Sequence, residues 1–291
     1  MQLVTNTYIF TPILGEEQTI RLIAGAGFDA IDWTFMREFG EGSPWLKSNW
    51  KDHAQKMLDT AAECGITFRQ AHSPYPSSRG TEPYDTDVMH YIRRSMEAAA
   101  FLGIRHMVIH PKHHLPYKTH RQQMMQESVQ MYKDLIPFCE EYGIKVCCEN
   151  MWQYDKKRNV IIDSICSCPE EFCELLDTVN SPWITGCLDI GHCALVSQDP
   201  AHFIRTMGSH LQALHVHDVD LLDDTHTMPF VGRIDWESVC TALAQIGYTG
   251  DFTFEANGWF EPLPPALFAD AARMLERTGR YLIGQIQNGS K

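Results

Sequence analysis

Six polar residues stand at the C-terminal ends of successive apolar runs. They are His72 in FRQAHSPY, His110 in HMVIHP, Glu149 in KVCCEN, Asp189 in GCLDIGH, His215 in LHVHD and Glu255 in FTFEANG. Their spacings are 38, 39, 40, 26 and 40 residues. A charged carboxylate at the dry end of a buried strand is costly unless something opposite compensates it. Glu149, Asp189, His215 and Glu255 form the strongest subset. Three carboxylates and an imidazole make a hard, oxygen-rich shell that suits a divalent ion such as Mn2+, Zn2+, Co2+ or Mg2+. Without a cation the carboxylates would repel and drive one another's pKa values upward.

Further candidates lie close by. His192 follows Asp189 by three residues in the tight DIGH turn, as a site residue or a helix-capping one. Strand alternation puts His217 on the same face as His215, one step further out, as a substrate contact or a solvated loop residue. Asp224 and His226 form an Asp-x-His pair in the loop beyond. With His72 and His110, these are candidate additional metal or substrate ligands. His113 and His114 in HPKHH read as surface residues. Trp33, Trp152 and Trp259 lie near strand ends, where an aromatic wall would suit the apolar face of a sugar, although packing is the commoner fate of Trp.

These residues need a scaffold that brings every strand end to one rim. Candidate strands fall at 3–8, 28–33, 66–71, 105–110, 144–149, 183–189, 211–217 and 251–256, with amphipathic helical stretches between them. Gly65, Gly103, Gly143 and Gly247 supply helix stops just before strands. Eight strand-then-helix units of roughly 36 residues predict a (β/α)8 TIM barrel, whose active sites sit at the C-terminal ends of the strands. The long strand-to-helix connections 34–50, 73–84 and 218–234 belong to that rim. No linker or composition shift divides residues 1–291, which read as a single domain.

Bulk properties narrow the function. The chain carries 24 Lys and Arg against 37 Asp and Glu, a formal net charge of −13, which disfavours a nucleic-acid partner. No apolar run reaches the roughly 20 residues of a membrane helix. The start, MQLVTNTYIFTPILG, lacks the pattern of a signal peptide, and the ten cysteines contain no C-x-x-C pair. Cys147 and Cys148 read as small buried hydrophobes, and a reducing, cytoplasmic compartment is expected. The sequence has no G-x-S-x-G, Walker loop, strand-linked G-x-G-x-x-G or H-E-x-x-H. EANGWFEP shows no Gly-rich phosphate cradle, so an unphosphorylated small molecule is expected. A homo-oligomer is one arrangement open to such a barrel.

VCCEN, CLDIGH, LHVHD and FTFEANGW, in that order and spacing, resemble the xylose-isomerase-like barrels. That superfamily of sugar isomerases and epimerases also contains the apurinic-site endonucleases, and the resemblance spans essentially the whole chain. In its ketose 3-epimerase branch, Glu, Asp, His and Glu from strands 5 to 8 hold the metal. Those positions fall on Glu149, Asp189, His215 and Glu255, and the His of the Asp-x-x-His turn falls on His192. The resemblance implies that Glu149 and Glu255 both ligate the metal and exchange a substrate proton, with His192 orienting a substrate oxygen. The epimerases carry an Arg shortly after the strand 7 His; LHVHDVDLLDD has none. The endonucleases' three-zinc pattern also finds matches, at His72, His110, Glu149, Asp189, His192, His215, Asp224, His226 and Glu255. Inosose dehydratases share the scaffold.

The implied chemistry is proton abstraction beside a carbonyl on a sugar, polyol or keto-inositol, with a divalent ion holding the developing enediolate charge. Return of the proton to the opposite face is epimerisation, and transfer to the adjacent carbon is isomerisation. The alternatives are a multi-zinc phosphodiesterase resembling the apurinic-site endonucleases, a lyase resembling inosose dehydratase, and a non-catalytic sugar-binding barrel.

Overall fold

The apolar runs pair in chain order. The computed structural model describes residues 1–36, 39–40 and 42–289, so Arg37, Glu38 and Glu41 of the connection expected at 34–50 lie outside the described residues. The barrel strands are β1 (Leu3–Asn6), β2 (Ala30–Thr34), β3 (Thr67–His72), β4 (His106–Val108), β5 (Lys145–Glu149), β8 (Ile184–Asp189), β9 (Leu211–His215) and β10 (Phe252–Phe254). Their order is β10-β1-β2-β3-β4-β5-β8-β9, with parallel pairing throughout. The ring closes between β9 and β10 through Val216, whose N–H donates to Thr253 O at 2.8 Å and whose carbonyl accepts from Glu255 N–H at 3.1 Å. The (β/α)8 expectation is met. Most strands run shorter than the apolar runs, β4 and β10 most of all, where the polar rim residues beyond them leave the ladder.

One pair of strands was not expected. β6 (Trp152–Asp155) and β7 (Val160–Asp163) form an antiparallel hairpin standing on the rim after β5. Its sequence, WQYDKKRNVIID, offers two four-residue strands around a charged turn, too short and too polar for the pattern to announce.

Helices cover the barrel. After the short α1 (Thr11–Leu14) come α2 (Glu16–Ala26), α3 (Trp50–Cys64), α4 (Tyr84–Phe101), α5 (Tyr117–Tyr142), α6 (Pro169–Val179), α7 (Ile190–Leu195), α8 (Pro200–Met207), α9 (Trp236–Gln245) and α10 (Phe268–Gly289). Local chemistry sets their ends. Asp199 and Asp235 accept the backbone N–H of Ala201 and Ser238 at the starts of α8 and α9. Gly65 and Gly143 end α3 and α5 at φ +67° and +64°, a left-handed conformation that costs glycine no Cβ clash. No helix among the described residues is long and apolar enough to cross a membrane.

Strand alternation divides the core in two. Outward-facing Ile31, Trp33, Phe68, Met107, Val146 and Cys148 pack under the helices. Val108, Cys147, Cys187 and Ala213 form a small separate cluster, and Cys147 Sγ lies 3.3 Å from Thr185 Oγ1. Cys147 and Cys148 therefore face opposite sides of β5. They are buried free thiols, as expected of small hydrophobes, and all ten cysteines are free.

Candidate metal centre and cavity

Register builds the mouth of the barrel. Asp189 stands opposite His215 in the β8–β9 ladder, and Glu149, ending β5, stands opposite Cys187. Asn150 clamps the two carboxylate-bearing strand ends together. Its Oδ1 accepts from Asp189 N–H at 2.8 Å and its Nδ2 donates to Asp189 O at 2.9 Å. Asp189 Oδ1 accepts the N–H of His192 at 2.7 Å, which caps α7. The capping residue of this turn is thus Asp189, and His192 is free to present its ring.

The sequence-derived candidates converge. Three groups each place one ligand atom per residue within 4.8 Å of one another: Glu149, Asp189, His215 and Glu255; His72, His110 and Glu149; and His192, His217, Asp224 and His226. In the central group His215 Nδ1 lies 3.1 Å from Glu149 Oε1 and 3.2 Å from Glu255 Oε2. Glu149 also reaches the second group, with Oε2 2.8 Å from His110 Nε2 and 3.6 Å from His72 Nε2. In the third, Asp224 Oδ2 lies 3.1 Å from His226 Nε2 and 3.3 Å from His192 Nε2. His217 is fully buried, stacked on His226 with ring centroids 3.8 Å apart and bonded to Asp189 Oδ1 at 2.9 Å. That corrects its reading as a solvated loop residue: Asp189, one strand away, gives the ring a buried partner.

Backbone carbonyls orient the imidazoles. Nδ1 of His72, His192 and His226 faces Ser73 O (2.8 Å), Asn150 O (3.0 Å) and Glu255 O (2.8 Å). A carbonyl only accepts, so in each neutral ring Nδ1 carries the proton and Nε2 turns its lone pair toward the cluster. His215 faces the central group with Nδ1 instead, and its Nε2 lies 3.8 Å from Asp32 Oδ2.

Two observations test the fit to a cation. Buried polar atoms ordinarily find partners, yet Glu149 Oε2, Asp224 Oδ1, His110 Nδ1 and His215 Nε2 are buried without a hydrogen bond among the described residues. His72 Nε2 and His110 Nε2 lie 2.8 Å apart, so at most one proton sits between two rings beside Glu149. Carboxylate and imidazole donors converging in this way fit divalent ions.

The electrostatics agree. Burial pushes Glu149 up, but His215 and His110 beside it hold it well below the usual carboxylate range. Burial opposes a charge on His215, and Glu255 and Glu149 override it, raising the imidazole well above its ordinary value. His192 is raised in the same way by Asp189 and Asp224 against burial. His226 is raised to about 10, Asp224 again outweighing burial. Burial lifts Asp32 to about 6.

A residue that sequence reasoning passed over organises the 218–234 loop. Asp218 is fully buried, and its carboxylate accepts from Val219 N (2.9 Å), Ile234 N (3.1 Å), Phe230 N (2.9 Å) and Trp236 Nε1 (2.9 Å). Its backbone also exchanges hydrogen bonds with Thr227 at 2.8 and 3.0 Å. Asp218 therefore folds the loop back so that Asp224 and His226 reach His192. The only signal was an Asp directly after HVH, indistinguishable in sequence from a solvated loop residue.

Above the cluster opens a cavity of about 1140 Å3, lined among others by Tyr75, His113, Trp152, Tyr154, Asn257 and Glu261. His113 is half-buried against Tyr75, and His114 is half-buried beside Ser78, which corrects both as surface residues; the loop after β4 folds in over the rim. Of the three tryptophans only Trp152 lines the cavity. Trp33 packs edge-on against Phe68, and Trp259 donates to Ala271 O at 3.2 Å.

Residues 20–278 match the family model of the xylose isomerase-like TIM barrel, and the chain belongs to that family. Among curated relatives, an uncharacterized protein of Methanocaldococcus jannaschii is 28% identical over 169 residues, covering 56% of this chain and 55% of that protein. The chain therefore matches about half the length of that relative. The D-psicose 3-epimerase of Ruminiclostridium cellulolyticum is 26% identical over 45% of this chain and 40% of its own length. Among solved structures, a D-tagatose 3-epimerase-like protein superposes with a TM-score of 0.76 at 20% identity, over 99% of both chains. The IOLI protein with a bound zinc atom superposes with a TM-score of 0.74 at 18% identity, over 99% of both chains.

Proposed function

We propose that this protein is a divalent-metal-dependent isomerase or epimerase of an unphosphorylated sugar or polyol. The observation that supports the reading most is the central group, in which Glu149 and Glu255 lie 3.1 and 3.2 Å from His215 Nδ1. Glu149, Asp189, His215 and Glu255 would hold a divalent ion, which would supply Lewis-acid chemistry beside a substrate carbonyl. Glu149, at the end of β5, would accept the proton of the carbon beside that carbonyl. Glu255, bonded by Asn6 Nδ2 at 3.3 Å, delivers a proton to the other face or to the neighbouring carbon. His192 orients a substrate oxygen. Similarity to proteins named 3-epimerases, together with the net charge of −13, supports a carbohydrate over a nucleic-acid substrate.

The test is solvent-deuterium incorporation into a panel of ketoses and inososes, with Mn2+, Zn2+, Co2+ or Mg2+ added. Glu255→Gln keeps the volume and one ligating oxygen, so folding survives while turnover falls about 10²- to 10⁴-fold. A Glu255→Gln protein that binds metal and works at the wild-type rate removes Glu255 from the mechanism.

A second reading is favoured by the two flanking groups, which together with the central one make room for several ions. This is the donor arrangement of a multi-metal phosphodiesterase. Incision of abasic duplex DNA by metal-loaded protein, lost in His110→Ala, would promote it. Absence of incision alongside deuterium exchange into a sugar leaves the isomerase reading in place, whatever the number of ions.

A further inference from the structure

We propose that the rim carries an outer subsite for a glycosyl unit, so that the substrate is a keto-sugar bearing a second sugar ring; this rests on the isomerase reading above. The cavity, at about 1140 Å3, exceeds the roughly 300–1,000 Å3 of ordinary small-molecule pockets. A single sugar ring held at the ligand cluster leaves much of it unfilled.

The β6–β7 hairpin lines that remaining space with aromatic side chains. Trp152 and Tyr154 are alternate residues of β6, so they share a face about 7 Å apart. Trp152 marks the inner end: its Nε1 donates to Asp224 Oδ2 at 3.1 Å and its ring lies 6.3 Å from that of His192. Tyr154 lies further out, 43% exposed, with its hydroxyl tied to Asn159 across the hairpin turn. Tyr75, 38% exposed, adds another aromatic surface 4.6 Å from the ring of His110. Amphipathic aromatic surfaces of this kind suit the apolar faces of sugar rings.

The wall is built to stay in place. Gln153 Oε1 accepts from Tyr117 N at 3.0 Å, and its Nε2 donates to His113 O at 3.0 Å and Leu115 O at 2.6 Å. Acceptors for hydroxyl groups are present as well. The carboxylates of Asp220 and Glu261 line the cavity. No Lys or Arg lines the cavity among the described residues, which gives a phosphate or carboxylate extension no counter-charge among them.

The experiment compares metal-loaded wild type and Tyr154→Ala on two substrate sets, free ketohexoses and ketohexoses glycosylated at the end remote from the carbonyl. Deuterium exchange is expected to show kcat/KM at least about tenfold higher for the glycosylated set. Tyr154→Ala is expected to lower that ratio roughly tenfold, the size of one lost aromatic contact. A ratio near or below one in wild type, or an undiminished ratio in Tyr154→Ala, overturns the outer subsite while leaving the isomerase reading intact. Better turnover of amine-linked ketoses than of glycosylated ones overturns the glycosyl assignment. Calorimetric binding of a glycosylated hexitol against the free hexitol, neither of which can react, reads the subsite without catalysis. Tighter binding of the glycosylated form supports it even where exchange fails, and equal binding overturns it.

Discussion

The two ends of the barrel are both polar, and they are built on opposite principles. At the C-terminal mouth, buried imidazoles and carboxylates crowd together, with Glu149 Oε2, His110 Nδ1, His215 Nε2 and Asp224 Oδ1 left without hydrogen bonds. At the N-terminal end, a smaller cavity of about 520 Å3 is lined by groups settled in pairs. There Arg69 Nε meets Asp251 Oδ2 at 2.6 Å and Lys145 Nζ meets Gln212 Oε1 at 2.8 Å. Asp29 accepts from Leu3 N at 2.8 Å and from both Nη atoms of Arg280 at 2.7 Å. The lower end satisfies its charges with side chains and solvent. The mouth holds polar atoms without hydrogen-bond partners among the described residues, an arrangement that fits an added cation.

Removing metal is the strongest way to break this contrast. In excess chelator, activity falls to background and the protein loses roughly 3–4 kcal/mol of stability relative to the state with free metal about 300-fold above its Kd. Melting curves with metal loss verified by elemental analysis check this, and an unchanged midpoint would count against the site.

Next comes Asp218→Ala, which takes the acceptor from four N–H groups at once, those of Val219 and Trp236 in buried bonds. It is expected to cost about 3 kcal/mol and to lower the metal content by releasing Asp224 and His226, with ions in the central group retained. Denaturant midpoints and ion counts together decide it. Full metal content in a destabilised variant would confine Asp218 to folding.

The pH response sharpens the comparison, because the ends carry opposite signs. In chelated protein His226 is raised to about 10, so its contribution is fully present below its unfolded value near 6.5 and is lost as pH climbs toward 10. Asp29 is lowered, chiefly by Arg280, so its contribution is present above about pH 4 and is lost as pH falls through its depressed value. Denaturation midpoints across pH, with and without chelator, should show the alkaline loss steepened by metal removal and the acid limb unmoved. An alkaline limb indifferent to chelator would show that metal and protons do not compete.

The smallest effect is Arg69→Ala, expected to cost less than about 1 kcal/mol, since Arg69 is half-exposed and its ion pair is screened. Exchange rates with the sugar panel should not change, and a tenfold loss would mean that the lower end communicates with the chemistry.

Much of the mouth was legible because a parallel barrel turns one sequence interval into one geometric step. Glu149, Asp189, His215 and Glu255 are read from strand ends, and His72 and His110 by the same rule. What lies off the strands escaped that rule. The Asn150 clamp, the Asp218 clasp and the β6–β7 hairpin depend on contacts between loops, where no period links a residue to its partner. His217 was placed on a face by alternation, but its burial comes from Asp189 on the neighbouring strand. Trp33 and Trp259 show the reverse: proximity to a strand end does not say whether a ring turns to the cavity or under the helices.

The β6–β7 hairpin is a two-stranded sheet of its own, inserted between β5 and β8 and tied to its surroundings through Gln153 and Trp152. Loops of this kind tolerate replacement because the ladder beneath them does not depend on their length. It is in that sense an exchangeable cassette. Swapping or trimming about a dozen residues would change what stands over the ligand cluster and leave the strand-borne groups in place.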